Sequence, residues 1–208
     1  TFYVKVNVPK TLSKTNNVFQ FAATAPGTYQ TMNIGRFVSN FKAFSKSGKE
    51  IKTSFVAPNQ YVFKKPKKVN YVTYNIAETF DTKVKQLPIY LMAGTTIEAD
   101  HSLLNTHGIC GYFKGFQTDP VEVKINPKEN WEIGTAMKKN AQGAFVASSF
   151  DEMVDSPILT GNMTKATTTI GKTPIEVLVY SETGKIKADM ILKEMDKMLH
   201  SAEKYLVE

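Results

Sequence analysis

Three histidines, one cysteine and a short run of carboxylates hold most of the chemistry open to this chain. His101, His107 and His200 are the imidazoles and Cys110 is the single thiol. His107 and Cys110 have a spacing that suits two ligands of one metal ion, but a tetrahedral zinc site needs two more and no second His or Cys pair follows. None of the histidines precedes a glutamate, so the zinc-helix motif H-E-x-x-H is absent. A loop histidine and a buried thiol are the readings that remain, and no metal is expected in this chain. Asp151, Glu152 and Asp155 offer general acid or base chemistry in principle. Nothing in their surroundings would raise the pKa of one carboxyl selectively, so a capped acidic turn is the simpler expectation. There Asp155 would accept backbone hydrogen bonds as a cap does. Ser102, Ser149 and Ser156 lie in no G-x-S-x-G element, and Gly108 and Gly111 belong to no phosphate-binding loop.

Composition narrows the class. The 208 residues suit one large domain, or one domain with part of another. No run reaches the roughly 18 apolar residues that would suggest a membrane span. The chain opens on Thr1 without a signal-peptide pattern, which reads as a processed or trimmed start. The formal charge of +7 invites a nucleic-acid reading, but Arg36 is the sole arginine. Arginine's planar fork carries most specific base and phosphate recognition, so no specific nucleic-acid partner is expected. The one dense cluster, Lys64-Lys65-Pro66-Lys67-Lys68, reads as a solvated loop that discourages edge pairing, or else as a polyanion patch. With one cysteine, no intrachain disulfide is possible.

The elements that must position these residues are mostly strands. Period-two alternation runs through Phe2-Val4-Val6-Val8, Val18 to Ala22, Phe37 to Phe44, Glu50 to Val56, Val69 to Phe80 and Val121 to Ile125. Lys46-Ser47-Gly48-Lys49 makes a hairpin turn, since glycine permits positive φ. Many short strands broken by Gly, Pro, Asn and Lys argue for a mainly β fold, a sandwich or a twisted open sheet. Leu87 to Gly94 reads as either a strand or a helical turn, and His101 to Gly115 as irregular. Past Gly171 the pattern changes. Ile175 to Tyr180 is a dense β run, and from about Ala188 the period is helical. Ile191, Met195, Met198, Leu199, Ala202, Tyr205 and Leu206 form one apolar stripe, with Asp189 near the start. Burial of five such side chains would be worth roughly 7–15 kcal/mol, too much for a helix standing free.

Two stretches are specific in residue order. Phe145 to Gly161 reads FVASSFDEMVDSPILTG, in which Pro157 pushes Ser156 toward extended geometry. Pro26-Gly27-Thr28-Tyr29 favours a type II turn whose tyrosine can anchor it to the sheet, and Arg36 follows before Phe37-Val38. Both stretches resemble the N-terminal domain of the glycyl-aminopeptidase family of zinc metallopeptidases. There, Asp-Glu-x-Val-Asp-Ser-Pro sits shortly before the catalytic domain, and Pro-Gly-x-Tyr precedes an arginine. A tryptophan usually stands two residues ahead of that proline; this chain has Thr24. The resemblance extends over about residues 2–182.

It implies an all-β domain over 1–171. A strand plus amphipathic helix over 172–208 would then begin an incomplete α/β catalytic domain. Members cleave N-terminal residues, notably glycine, with one zinc ion, which implies zinc and that activity for a longer parent and not for this chain. The expected role here is non-catalytic: packing beside the rest of the catalytic domain and shaping one side of the peptide cleft. Pro26, Gly27, Tyr29, Arg36, Asp151, Asp155, Ser156, Pro157 and Gly161 are the candidate cleft or domain-junction residues. The 188–206 helix is a candidate for self-association. The alternative is a stand-alone secreted β-sandwich module that binds a peptide or glycan through loop tyrosines such as Tyr29 and Tyr112.

Overall fold

The computed structural model describes residues 1–25, 27–84 and 86–206. In chain order the strands are β1 (Phe2–Asn7), β2 (Val18–Gln20), β3 (Val38–Phe44), β4 (Glu50–Ile51), β5 (Thr53–Ala57), β6 (Gln60–Phe63) and β7 (Tyr71–Ile76). Then follow β8 (Thr96–Ile97), β9 (His101–Leu104), β10 (Tyr112–Phe113), β11 (Val121–Val123), β12 (Glu132–Thr135), β13 (Lys138–Lys139) and β14 (Phe145–Ala147). A short helix α1 (Phe150–Val154) leads into β15 (Ile158–Gly161), β16 (Thr164–Ile170), β17 (Thr173–Val179) and the long helix α2 (Ala188–Leu206). Two compact units result, one of residues 1–125 and 135–159, the other of 126–134 and 160–208. The division runs within β12 and β15.

The first unit is the β-sandwich that the alternation implied. One antiparallel sheet has the order β1-β7-β3-β4 and the other β10-β2-β6-β5. In β7, paired on both sides, Val72, Tyr74 and Ile76 are almost completely buried, as befits the centre of a sheet. The interior between the two sheets is aromatic. Tyr74 of β7 meets Phe21 at 5.0 Å and Phe19 of β2 at 5.9 Å between ring centres, and Phe41 of β3 stacks on Tyr61 of β6 at 3.9 Å. The Tyr74 hydroxyl donates to the Ile109 carbonyl at 2.9 Å and accepts from the Gly111 N–H at 3.2 Å. Burial raises its pKa well above 10, so it stays a neutral donor. A third sheet, β11-β14-β13, and the β8–β9 pair complete the unit.

The segment expected to be irregular is more regular than that. His101 to Leu104 forms β9, paired with β8, and Tyr112–Phe113 forms β10 against β2. Leu91–Ala93 is a single 3-10 turn, which settles the choice left open over Leu87 to Gly94 in favour of a helical turn.

In the second unit, β16 and β17 pair antiparallel from Thr164↔Val179 to Ile170↔Thr173. The expected domain boundary at 171/172 therefore falls inside the hairpin turn, while the compact units divide at Thr160. The period change was right, and α2 covers 188–206. Its first turn is tied to the hairpin by the Ala188 N–H donating to Thr164 Oγ1 at 2.9 Å. The apolar stripe folds back on this hairpin and is covered only in part. Ile191, Met195 and Leu199 are half-buried, whereas Met198, Tyr205 and Leu206 are exposed.

Candidate functional site

The first motif makes a tight turn. The Thr28 N–H bonds to the Ala25 carbonyl at 3.2 Å, and Gly27 at φ 77° takes the left-handed position that a type II turn requires. Pro26 lies outside the described residues. Tyr29 does not anchor this turn to the sheet. It is 95% exposed, at φ 50°. The holding is done by small hydroxyls instead: Thr28 Oγ1 donates to the Ala25 carbonyl at 2.6 Å and Thr24 Oγ1 to the Gln30 carbonyl at 2.7 Å. The turn is thus closed without the ring, which is left in solvent.

Four residues on, the chain is keyed against the loop before β6. The Gly35 N–H donates to Asn59 Oδ1 at 3.0 Å, and Asn59 Nδ2 donates to Asn33 Oδ1 at 2.8 Å. A Cβ on Gly35 would stand 1.9 Å from the Pro58 carbonyl oxygen, so only glycine permits this approach. That contact fixes where Arg36 starts. Its guanidinium donates to the Gln86 carbonyl at 2.5 Å and to the Leu87 carbonyl, and its face lies 5.0 Å from the centre of the Phe37 ring. Arg36 therefore clamps a loop. Partial burial lowers its pKa from a value high enough that it stays charged. Gln30 grips the same loop, donating to the Pro88 carbonyl and accepting from the Tyr90 N–H at 3.1 Å.

The clamped loop is apolar and faces water. Leu87, Tyr90, Leu91 and Met92 are all more than half exposed, with Tyr29 nearby in the holding motif. Of the five described non-glycine residues with positive φ, Tyr29, Asn33 and Leu87 fall here. A leucine in that region is an outlier, and such strain persists only where neighbours over-determine the backbone.

The second motif is a capped turn. Ser149 is the N-cap of α1, accepting from the Glu152 N–H at 3.1 Å. Glu152 reaches back to the Ser148 N–H at 2.6 Å, and hydrogen bonds from the Ser148 hydroxyl and N–H hold its carboxyl below the usual value. Asp155 is the C-cap residue, and its carboxylate does not accept the capping hydrogen bonds expected of it. It is exposed at the C-terminal end, where its own N–H donates to the Asp151 carbonyl at 3.0 Å. At that end the need is for donors, which a carboxylate cannot supply. Ser156, 6% exposed, supplies one, its hydroxyl donating to the Glu152 carbonyl at 3.0 Å. Pro157 is exposed, and Gly161 is buried at the end of β15.

One 3-10 turn, Thr106–Gly108, joins the two motifs. Thr106 Oγ1 donates to the Met153 carbonyl of α1 at 2.6 Å. On its other side, Asn105 Nδ2 donates to the Gly94 carbonyl at 2.5 Å, and His107 Nε2 lies 3.2 Å from the Ala93 carbonyl. Burial pushes the His107 pKa down, so at neutral pH it is a neutral donor to that carbonyl. A continuous series of contacts therefore runs from Arg36 and Gln30, through residues 86–94, to Thr106 and α1.

The sequence pattern of the Peptidase M61 N-terminal domain matches residues 1–162. This chain belongs to that family. The match ends just past Gly161, and the resemblance carried by the two motifs holds. Among solved structures, a crystal structure of an aminopeptidase N family protein from Idiomarina loihiensis is similar to it. The TM-score is 0.69 at 17% identity, over 90% of this chain and 32% of that one. That likeness shows the fold, and this chain spans about a third of that protein's length. No curated protein matches.

The M61 N-terminal domain does not fit a zinc ion with the residues described here. Among the described residues no group of three His, Cys, Asp or Glu side chains is arranged to hold a metal ion. His107 is engaged by the Ala93 carbonyl, and burial pushes the Cys110 thiol up to about 12, which keeps it protonated. His101 stands 3.0 Å from Asp100, and His200 lies beside Asp196 and Glu203 on α2. No step of peptide hydrolysis is therefore assigned to these side chains. What the arrangement can do is present an apolar, fixed surface. Sequence reasoning missed Gln30, Asn59, Asn105 and Thr106, whose side chains bond main-chain groups, and Gly35, whose lack of a Cβ admits the Pro58 carbonyl. Only Gly35 carried a signal, as the glycine immediately ahead of the motif arginine.

Proposed function

We propose that this domain is the non-catalytic N-terminal part of a zinc-dependent aminopeptidase, and that its 87–92 loop with Tyr29 forms one wall of the peptide cleft. The observation that supports this reading is an exposed apolar run that is nevertheless fixed, through Arg36 and Gln30, at three carbonyls and one N–H. Fixing a wall in advance lowers the cost of ordering a substrate against it. Zinc and the bond-breaking groups belong, in this reading, to the remainder of the parent. The exposed side of α2, with Met198, Tyr205 and Leu206, would lie against that remainder. In its absence that surface would support self-association, which sedimentation at several concentrations reads directly.

The test uses the domain joined to its catalytic partner. Leu91→Ala with Met92→Ala should raise KM for glycyl peptides several-fold and change kcat less, because a wall contributes binding and not chemistry. Unchanged constants in a folded double variant would remove the loop from the cleft.

A further inference from the structure

Two of the sheet edges in the first unit, each without a further strand among the described residues, face one cavity. β1 ends the sheet β1-β7-β3-β4, and β11 ends the sheet β11-β14-β13. Both edges line one open cavity of about 440 Å³, along Phe2 to Pro9 on one side and Asp119 to Ile125 on the other. Its floor is apolar, with Leu104, Ile109, Phe113, Phe150, Met153 and Ile158.

The side-chain alternation on both edges points the same way. Phe2, Val4, Val6 and Val8 are only half-buried, with Tyr3, Lys5 and Asn7 exposed between them. Val121, Val123 and Ile125 are likewise half-buried, with Glu122 and Lys124 exposed. The inward residues of a filled sandwich would be covered. Here the cover is incomplete along the length of two strands. An edge leaves alternate N–H and C=O groups unpaired, and an extended chain is the partner that satisfies a row of them while placing every second side chain on the floor. A compact ligand would use neither the row nor its length, which is roughly 25 Å at about 3.3 Å per residue.

Charge selects among extended chains. Lys5 and Lys124 make no ion pair among the described residues; the Lys5 ammonium instead sits 4.4 Å from the Tyr71 ring centre. Glu122 accepts from Asn140 Nδ2 at 3.4 Å, and Asp119 is paired with Lys10 at 3.0 Å. A neutral amide leaves the Glu122 charge in place, so two unpaired ammonium groups, Lys5 and Lys124, stand against one carboxylate, and the excess along these two edges is positive. A second copy presenting the same β1 edge would set lysine toward lysine, whereas carboxylates at outward positions meet opposite charge.

We propose that the channel between β1 and β11 is a binding site for an extended peptide strand, with apolar residues at alternate positions and carboxylates between them, added edge-on to β1.

The probe is the acetylated, amidated heptapeptide Val-Glu-Val-Glu-Val-Glu-Val, titrated into isotope-labelled protein and followed by amide NMR shifts. Saturable shifts confined to residues 2–9, 104–113 and 119–125 are expected. Replacing the central glutamate by proline removes a main-chain donor and should weaken binding at least tenfold. Lysines in place of the glutamates should also weaken it, and so should Val6→Asp in the protein. No saturation up to about 1 mM overturns the proposal. Equal binding of the proline or lysine peptide also overturns it, as do shifts mapping to the 87–92 loop. If the same resonances move with protein concentration alone, the channel is an interface between copies and the proposal fails. The proline comparison is made on the unaltered protein, so it decides the matter even if Val6→Asp does not fold.

Discussion

Arg36→Ala should release the 86–92 loop without unfolding the sandwich. The guanidinium makes two hydrogen bonds to main-chain carbonyls, one to Gln86 at 2.5 Å and one to Leu87. A hydrogen bond to a charged group is worth about 1.5–3 kcal/mol when shielded. Arg36 is exposed, and water replaces part of what it gives, so about 1–2 kcal/mol is the expected loss for the pair. That corresponds to a roughly 5- to 30-fold larger population of the open loop. Chymotrypsin reads this population, because Tyr90, Leu91 and Met92 are cleavable once the backbone can leave its clamp, whereas Pro88 protects the bond after Leu87. Cleavage between 87 and 92 should accelerate by that factor, with the thermal midpoint moving little. Arg36→Lys should recover only part of the protection, since an ammonium cannot span two carbonyls as the fork does. A rate of cleavage unchanged in Arg36→Ala would refute the clamp.

Three further outcomes follow from the same geometry. Leu87→Gly should raise stability by about 1 kcal/mol, because it removes left-handed strain at a half-exposed residue, and a lower denaturant midpoint would show that the strain is not stored there. Ser149→Ala should cost about 1 kcal/mol in a denaturant melt while Asp155→Ala stays within about 0.5 kcal/mol, and the reverse order would return the cap to Asp155. Cys110 has its folded pKa raised from 9.0 to about 12, so its contribution is full below pH 9 and is lost as pH rises toward 12; stability should fall there by up to about 1.4 kcal/mol per pH unit, and Cys110→Ala should flatten that slope.

The fold was legible where apolar residues alternate. β1, β3 and β7 all fall inside runs that a period of two picks out, and Gly48 at φ 79° closes the turn expected of it. The strand β16 escaped notice because its sequence, TKATTTI, is largely threonine. Threonine favours strands but gives no contrast between faces, so the hairpin and with it the true place of residue 171 were invisible. The helix α2 announced itself by its period, yet its stripe could not say how much would be covered. A two-stranded hairpin is too narrow to hide a 19-residue helix, and Met198, Tyr205 and Leu206 stay in solvent.

The site was legible at its ends and not in its middle, and the reason is chemical. Pro26 to Arg36 and Ser149 to Pro157 carry turn and cap residues whose types are dictated by local backbone geometry, so their order is informative. The connection between them is made by side chains that bond carbonyls and N–H groups: Gln30 to 88 and 90, Asn105 to Gly94, His107 to Ala93, Thr106 to Met153. Every residue presents the same carbonyl, so the acceptor end of such a bond leaves no mark on the sequence. The donor end is an ordinary Gln, Asn, His or Thr. Leu87 to Gly94 thus left strand and helical turn open and His101 to Gly115 read as irregular, although side chains of these segments tie the exposed apolar loop to α1. The acidic motif, expected to be a capped structural turn, is one abutment of that arrangement; its carbonyls at Glu152 and Met153 both accept from hydroxyls. A turn with its acceptors filled from both sides is built to hold position, and position is what the proposed cleft wall would need from it.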